Sequence, residues 1–375
     1  MSNSSTSAVF ESLQTATIWI NWIVMPLQIV FGTFGNLLNI IIFTRPNLRT
    51  NPCATYFLVS SINNMLVLYI ALLTYYLSVS WNISLETTND VACRIRAFFV
   101  YASLCSTLWL TVLACIDRYL SSSDNVQLRR MSNLRTARKV IMFTIIFIYI
   151  IHCHILIFYQ LYMNDSVKTC SYPSYEYSIF LNFFLVITSC LIPILLTSIF
   201  SILMIINIRK IRNRVGQQVN NAQNVRRRSS DRQLIRMLLF QVLITTLLTF
   251  PYSVLGTYNI VAVTILKQSL SALESQIIYF LFNIILLFYY TNPVIGFYIY
   301  TLTGSKFRVE LKYCCQYGLK CILTATGLIR CLPLRIQQAL LRENERDNTN
   351  SMTLTKRKGE NNTVYPGACV TKQET

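Results

Sequence analysis

The chain has 375 residues, long enough for two or three soluble domains. Hydrophobic residues make up 53% and charged residues only 13%, about half the charged share of a soluble domain, so the composition argues against one. A net charge of +18 would direct a soluble chain to nucleic acid, but here the positive charges sit between long apolar runs. That pattern points to a membrane and argues against a nucleic-acid partner.

Seven windows lack Asp, Glu, Lys and Arg: 12–44, 50–85, 97–116, 140–163, 177–208, 237–266 and 275–305. Each can hold the ~20 residues with which a helix crosses a bilayer. They are too long and continuous for barrel strands, which alternate over ~10 residues. Seven such windows would also be hard to keep soluble as buried core helices. The predicted fold is an all-α membrane protein, a seven-transmembrane helix bundle over 18–303. An N-terminal segment, 1–17, precedes it. A short amphipathic helix, 304–317, and a polar tail, 318–375, follow.

Orientation follows from Lys and Arg. The loops after spans 1, 3 and 5 hold 17 of them, and those after spans 2, 4 and 6 hold 4. The positive-inside rule places the 17 in the cytoplasm, so the N-terminus is expected outside and the C-terminus inside. The chain begins without a basic n-region, and span 1 is expected to act as the insertion signal. Sequons at Asn3, Asn82 and Asn164 fall on the predicted outer side and are candidate glycosylation sites. The run Arg226-Arg227-Arg228-Ser229-Ser230 has the pattern of a basophilic kinase site, but topology and contact with anionic membrane lipids is the preferred reading.

The motifs narrow the class. Asp117-Arg118-Tyr119 closes span 3, 25 residues from Cys93 to Arg118. Gly35-Asn36 lies in span 1, Pro193 in span 5 and Pro251 in span 6. Together these resemble the rhodopsin-like (class A) G protein-coupled receptors, over about 18–317. The resemblance implies a receptor, not an enzyme, on the plasma membrane. Its partners would be an extracellular ligand and a heterotrimeric G protein, with no cofactor and no metal.

Some positions depart from the family pattern. The helix 2 Asp is replaced by Asn64 or Asn63, which removes the acid of the usual sodium site. Span 6 reads Leu248-Thr249-Phe250-Pro251, without the Trp. In span 7, Asn292-Pro293 begins like the family's NPxxY, but Gly296 then stands at the Tyr position. A second register keeps Tyr300 as the Tyr, seven residues before Phe307, and fits better.

The resemblance also assigns roles. Asp117, Arg118, Tyr119, Asn292, Pro293 and Tyr300 would form the switch that couples to the G protein. Asp231 would pair with Arg118 at rest, or be one solvated charge in a basic loop. Cys93 and Cys170 lie on the oxidising side, where a bridge would shape the ligand entrance; two free thiols are the other reading. Cys314 and Cys315 suit palmitoylation, with plain thiols as the alternative. The stretch 318–341 reads as a second surface-lying helix.

Val100 stands where amine receptors carry an Asp, and no acid lies in any window, so a small amine would lack its counter-charge. The outer half is rich in tyrosine, and Tyr101 and Tyr252 sit at ligand depth, with Tyr279 as a further candidate. Glu86, Asp90, Asp165, Glu176 and Glu274 lie at the rim and would attract a cation. This suits a short basic peptide, amidated neuropeptides included. The alternatives are a lipid or other small-molecule receptor of the same fold and, from another class, a transporter. The latter usually shows internal repeats or midplane ionisable groups, which are not evident here. His152 and His154, with no acid near, read as a packed polar patch.

Overall fold

A computed structural model describes the backbone of residues 2–46, 48–164, 167–215, 222–268 and 270–325, and side chains chiefly within 8–210 and 233–316. It divides into two units, Met1–Leu311 and Lys312–Thr375. Among the described residues, seven helices are long and apolar enough to cross a membrane: Ala8–Phe43, Pro52–Trp81, Asp90–Ser122, Leu134–Phe158, Tyr175–Lys210, Gln233–Ala262 and Ala272–Tyr290. These are spans 1 to 7, one on each charge-free window, and the fold is the expected all-α bundle. Span 3 is central: 72% of its apolar window is buried, against 50% or less in the others.

Local chemistry sets the ends of the elements. Span 1 lies in α1 (Ser2–Phe43), which runs through Pro26. Span 2 begins as α2 (Pro52–Leu66), with Pro at its first position and the Asn51 side chain accepting from the Cys53 N–H. It passes through π-helical turns at Val67–Leu73 into α3 (Thr74–Trp81). Asn82 ends it at φ 54°, a left-handed position that Asn tolerates. Span 3 is α4 (Asp90–Ser122), capped by Asn89. A short helix, α5 (Val126–Met131), leads to span 4, built from α6 (Leu134–Ile151) and α7 (His154–Phe158).

The chain then makes an antiparallel hairpin, β1 (Gln160–Asn164) and β2 (Val167–Ser171), which pairs Leu161 with Cys170. Span 5 joins α8 (Tyr175–Leu185) to α9 (Ile192–Val215) through π-helical turns at Val186–Leu191, just before Pro193. Such turns take carbonyls off the regular ladder. The Thr188 carbonyl there accepts the Trp109 indole N–H at 2.9 Å. Span 6 lies in α10 (Ala222–Tyr258), continued by π-helical turns at Asn259–Ile265. Span 7 is α11 (Ala272–Tyr290), opened by a Ser271–Glu274 capping box, and α12 (Asn292–Thr303) extends it. The last described helix is α13 (Ser305–Ala325). It is longer than the expected 304–317. The first eight residues of the expected second helix, 318–325, continue it, and the rest of 318–341 lies outside the described residues.

Lipid tails are as apolar as Leu, so helices in a bilayer associate through close packing and hydrogen bonds. Both are concentrated between spans 1, 2, 3 and 7. A Cβ on Gly35 would sit 2.9 Å from the Phe297 Cβ, so only Gly allows α1 and α12 this close. Beside it, Asn36 donates to the Pro293 carbonyl at 2.8 Å. Asn21 and Asn283 exchange two hydrogen bonds, at 3.2 and 2.9 Å. Gln28 donates to the Leu287 carbonyl and the Thr291 hydroxyl. Asn63 donates to the Ser103 carbonyl and Thr107, while Asn64 accepts from Thr107 and donates, over a long 3.4 Å, to Asn36. Such bonds average about 0.6 kcal/mol each in membranes.

Candidate functional site

Two regions of the bundle carry chemistry, one at each end of span 3. At its C-terminal end, Arg118 is 2% and Asp117 4% exposed. The guanidinium donates to the Asp117 carboxylate through Nε at 3.1 Å and Nη2 at 2.5 Å, and to the Asn51 side chain at 3.3 Å. Asp117 also accepts the Ser132 hydroxyl at 2.7 Å, which ties the acid to the loop before α6. A buried cation needs such charged and hydrogen-bonded partners to offset its desolvation. Tyr119 turns to span 5 and packs on Phe200, ring centroids 5.5 Å apart. The side chain of Asp231 lies outside the described residues.

Spans 6 and 7 meet in two buried polar contacts. Asn292 donates to Thr249 at 3.2 Å, at the position where the sequence lacks the Trp, and to the Tyr289 carbonyl. Pro293 starts α12 beside it. Nearer the Arg118 end, the Tyr300 hydroxyl donates to Gln241 at 2.7 Å. The Tyr300 ring is enclosed by Phe43, Phe57 and Phe307, with centroids 4.9–5.8 Å away. Gly296 carries no such contact, which favours the register that keeps Tyr300.

At the other end, Cys93 of α4 and Cys170 of β2 are bonded, Cα atoms 5.6 Å apart. The bridge holds the hairpin against span 3, and the Leu161 N–H on it donates to Asp90 at 2.8 Å. Near it lies a cluster of tyrosines. Tyr101 and Tyr159 share a hydrogen bond at 2.9 Å, and Tyr159 packs on Tyr172, which packs on Tyr177. Across from them Tyr252 stacks on Tyr289, centroids 4.6 Å apart, and on Phe282. The π-helical turns of spans 2, 5 and 6 fall in this half of the bundle. His152 and His154 pack beside it against Phe184; His154 bonds the Tyr177 hydroxyl at 2.7 Å and His152 the Ile148 carbonyl.

The rim acids are engaged within the chain. Glu86 forms an ion pair with Arg96 at 3.5 Å, and Asp90 with Arg94 at 2.7 Å. Glu176 accepts the Ser174 hydroxyl, and Glu274 serves the capping box. Asp165 lies outside the described residues.

Tyr101 and Tyr252 both lie in the tyrosine-rich end of the bundle, whereas Glu176 is exposed at the start of α8 and Tyr279 is 51% exposed on span 7. Val100 is half-buried and packs on the cluster around Val67 and Leu68. Asn82 is exposed; the side chains of Asn3 and Asn164 lie outside the described residues. On α13, Cys314 is half-buried and Cys315 exposed. Sequence reasoning missed Tyr159, Tyr289, Tyr290 and Arg96. One signal for Arg96 was present: it lies four residues before Val100, on the same helical face.

A family model described as "7 transmembrane receptor (rhodopsin family)" matches residues 35–300. The chain is 23% identical over 294 residues to the C-C chemokine receptor type 8 of Homo sapiens, a match covering 76% of each chain. It is 24% identical over 298 residues to that of Macaca mulatta, again over 76% of each. With a match over well more than half its length, seven spans and the bridge from span 3 to the following hairpin, the chain belongs to the rhodopsin family of G protein-coupled receptors.

Proposed function

We propose that this chain is a cell-surface receptor for a peptide ligand, which it binds at the tyrosine cluster at the Cys93 end and answers by activating a heterotrimeric G protein at the Arg118 end. The observation that carries the reading is the tyrosine cluster. Tyr101, Tyr159, Tyr252 and Tyr289 offer apolar ring area with hydroxyls, a lining suited to peptide backbone and side chains. Both relatives are named as chemokine receptors, a polypeptide class of ligand, which supports the same choice.

As a family member the chain is a multi-pass plasma membrane protein. In the proposed orientation the N-terminus and hairpin face outside, and the loops after spans 1, 3 and 5 and the tail face the cytoplasm, following the excess of Lys and Arg. Asn82, exposed on the proposed outer side, is the candidate glycan site that the described side chains include. Cys314 and Cys315 remain candidates for palmitoylation. In the proposed mechanism a ligand pressing on Tyr252 shifts span 6, which loosens the Gln241–Tyr300 contact and frees Arg118 for the G protein.

The test is nucleotide exchange in membranes from cells that express the full chain with a G protein, challenged by peptide, lipid and amine panels. Exchange driven by peptides is expected. Exchange driven by lipids or amines and by no peptide contradicts the reading.

A further inference from the structure

Arg96 lies on the α4 face that carries Val100 one turn deeper. Its Nε donates to the Thr74 hydroxyl at 2.7 Å and faces Glu86 at 3.5 Å. Among the described residues no hydrogen bond is made by its two terminal nitrogens, and the side chain keeps 22% of its surface. One edge of the guanidinium is thus fixed by the protein, while the Nη1/Nη2 edge is left open. That edge presents two parallel N–H groups at the spacing of a carboxylate.

The surroundings match. Arg96 bonds Thr74, the neighbour of Tyr75, and Tyr75 and Tyr290 belong to the cluster on which Val100 packs, one turn deeper on α4. The hydroxyls of Tyr75 and Tyr290 have no hydrogen-bond partner among the described residues, so both are available as donors to a ligand. The other three cations at this end are placed differently, Lys267 being exposed after span 6. Arg94 is held by Asp90 and the Leu156 carbonyl, and Lys168 is exposed on the hairpin. The windows of spans 2, 6 and 7 contain no acid that could occupy the site.

We infer that the open edge of Arg96, with the Tyr75 and Tyr290 hydroxyls, is a docking point for a carboxylate of the ligand. This rests on the peptide reading, in which the group is the free carboxyl end of the peptide. It reverses the charge preference expected from the rim acids, which the chain itself engages. A peptide with an amidated end loses the charge and one acceptor oxygen, and leaves Arg96 without its second partner.

The test is thermal unfolding of the purified full chain with three probes at millimolar concentration: N-acetyl-Phe-Leu as the free acid, the same dipeptide as its amide, and decanoate. The single variant R96Q strands Glu86, which is 13% exposed, and can fail to fold. The double variant E86Q/R96Q removes both charges and is the one compared with wild type; R96K retains the charge without the fork. The acid is expected to half-stabilise the wild type at a concentration at least about tenfold below that of the amide. That ratio should fall to about one in E86Q/R96Q and be intermediate in R96K. An amide as effective as the acid, an unchanged ratio in the double variant, or no stabilisation by any probe overturns the docking point. Equal binding of acid and amide would leave the peptide reading standing. Stabilisation by decanoate alone, lost in E86Q/R96Q, would uphold the docking point and sink the peptide reading.

Discussion

Arg118, with 2% of its surface exposed, would bear a desolvation cost of several kcal/mol without partners. Asp117 supplies the charge, and Ser132 and Asn51 orient the pair. Asp117→Asn keeps the shape but removes the charge. Basal nucleotide exchange is expected to rise several-fold, and exchange equal to wild type would contradict a restraining role for the pair. The Cys93–Cys170 bridge spans a sequence separation of 77, worth about 4.5 kcal/mol in the chain-entropy picture. Cys170→Ser should therefore lower the unfolding midpoint and reduce the folded receptor at the cell surface, read by thermal denaturation and surface labelling. Cys93, Arg118 and Tyr101 were legible in the sequence because motif spacing fixes their helix and height, and Cys170 because it lies in the loop on the oxidising side. Arg96 was not, because a basic residue near a membrane boundary reads first as topology, and only the packing of spans 2, 3 and 7 shows its open edge. Asn63 and Asn64 could not be separated by sequence either; both face span 3, and Asn64 also reaches Asn36.

At the scale of elements, the helices are held by polar contacts set in close packing. Asn21 and Asn283 join spans 1 and 7 through two reciprocal bonds. A double-mutant cycle with Ala at both positions should return a coupling of about 0.6 to 1.7 kcal/mol, measured by thermal unfolding. A coupling near zero would show that the pair adds nothing beyond its separate parts. The Tyr300–Gln241 bond joins spans 6 and 7 close to Arg118. Gln241→Leu leaves the Tyr300 hydroxyl without its acceptor in a buried site, and basal exchange is expected to increase; unchanged basal exchange would remove this contact from the resting state. The spans themselves were readable because a bilayer demands a run of uncharged residues. The π-helical turns were not, since composition is the same in an α and a π turn. The hairpin 160–171 was missed for a different reason: its first residues continue the apolar window of span 4, and only pairing with a partner strand distinguishes them.

For the whole molecule, the arrangement separates two tasks. The Cys93 end holds a cluster of tyrosines near a tethered hairpin, and the Arg118 end holds a closed polar knot. Spans 3 and 6 run between them, and Tyr252 and Gln241 lie on the same helix, α10. The architecture followed from the charge map, and the family from the Asp-Arg-Tyr placement. The ligand's charge did not follow, because the four described rim acids are engaged in capping, ion pairs and hydrogen bonds within the chain. The most direct measurement is nucleotide exchange on a purified G protein by the reconstituted full chain, driven by a peptide pool, in wild type, Tyr252→Ala and Arg118→Ala. The account predicts peptide-driven exchange in wild type, a response moved to roughly tenfold or higher peptide concentration in Tyr252→Ala, and no response in Arg118→Ala. Peptide-driven exchange that is the same in all three proteins would contradict it, as would the absence of any peptide response when another ligand class drives exchange.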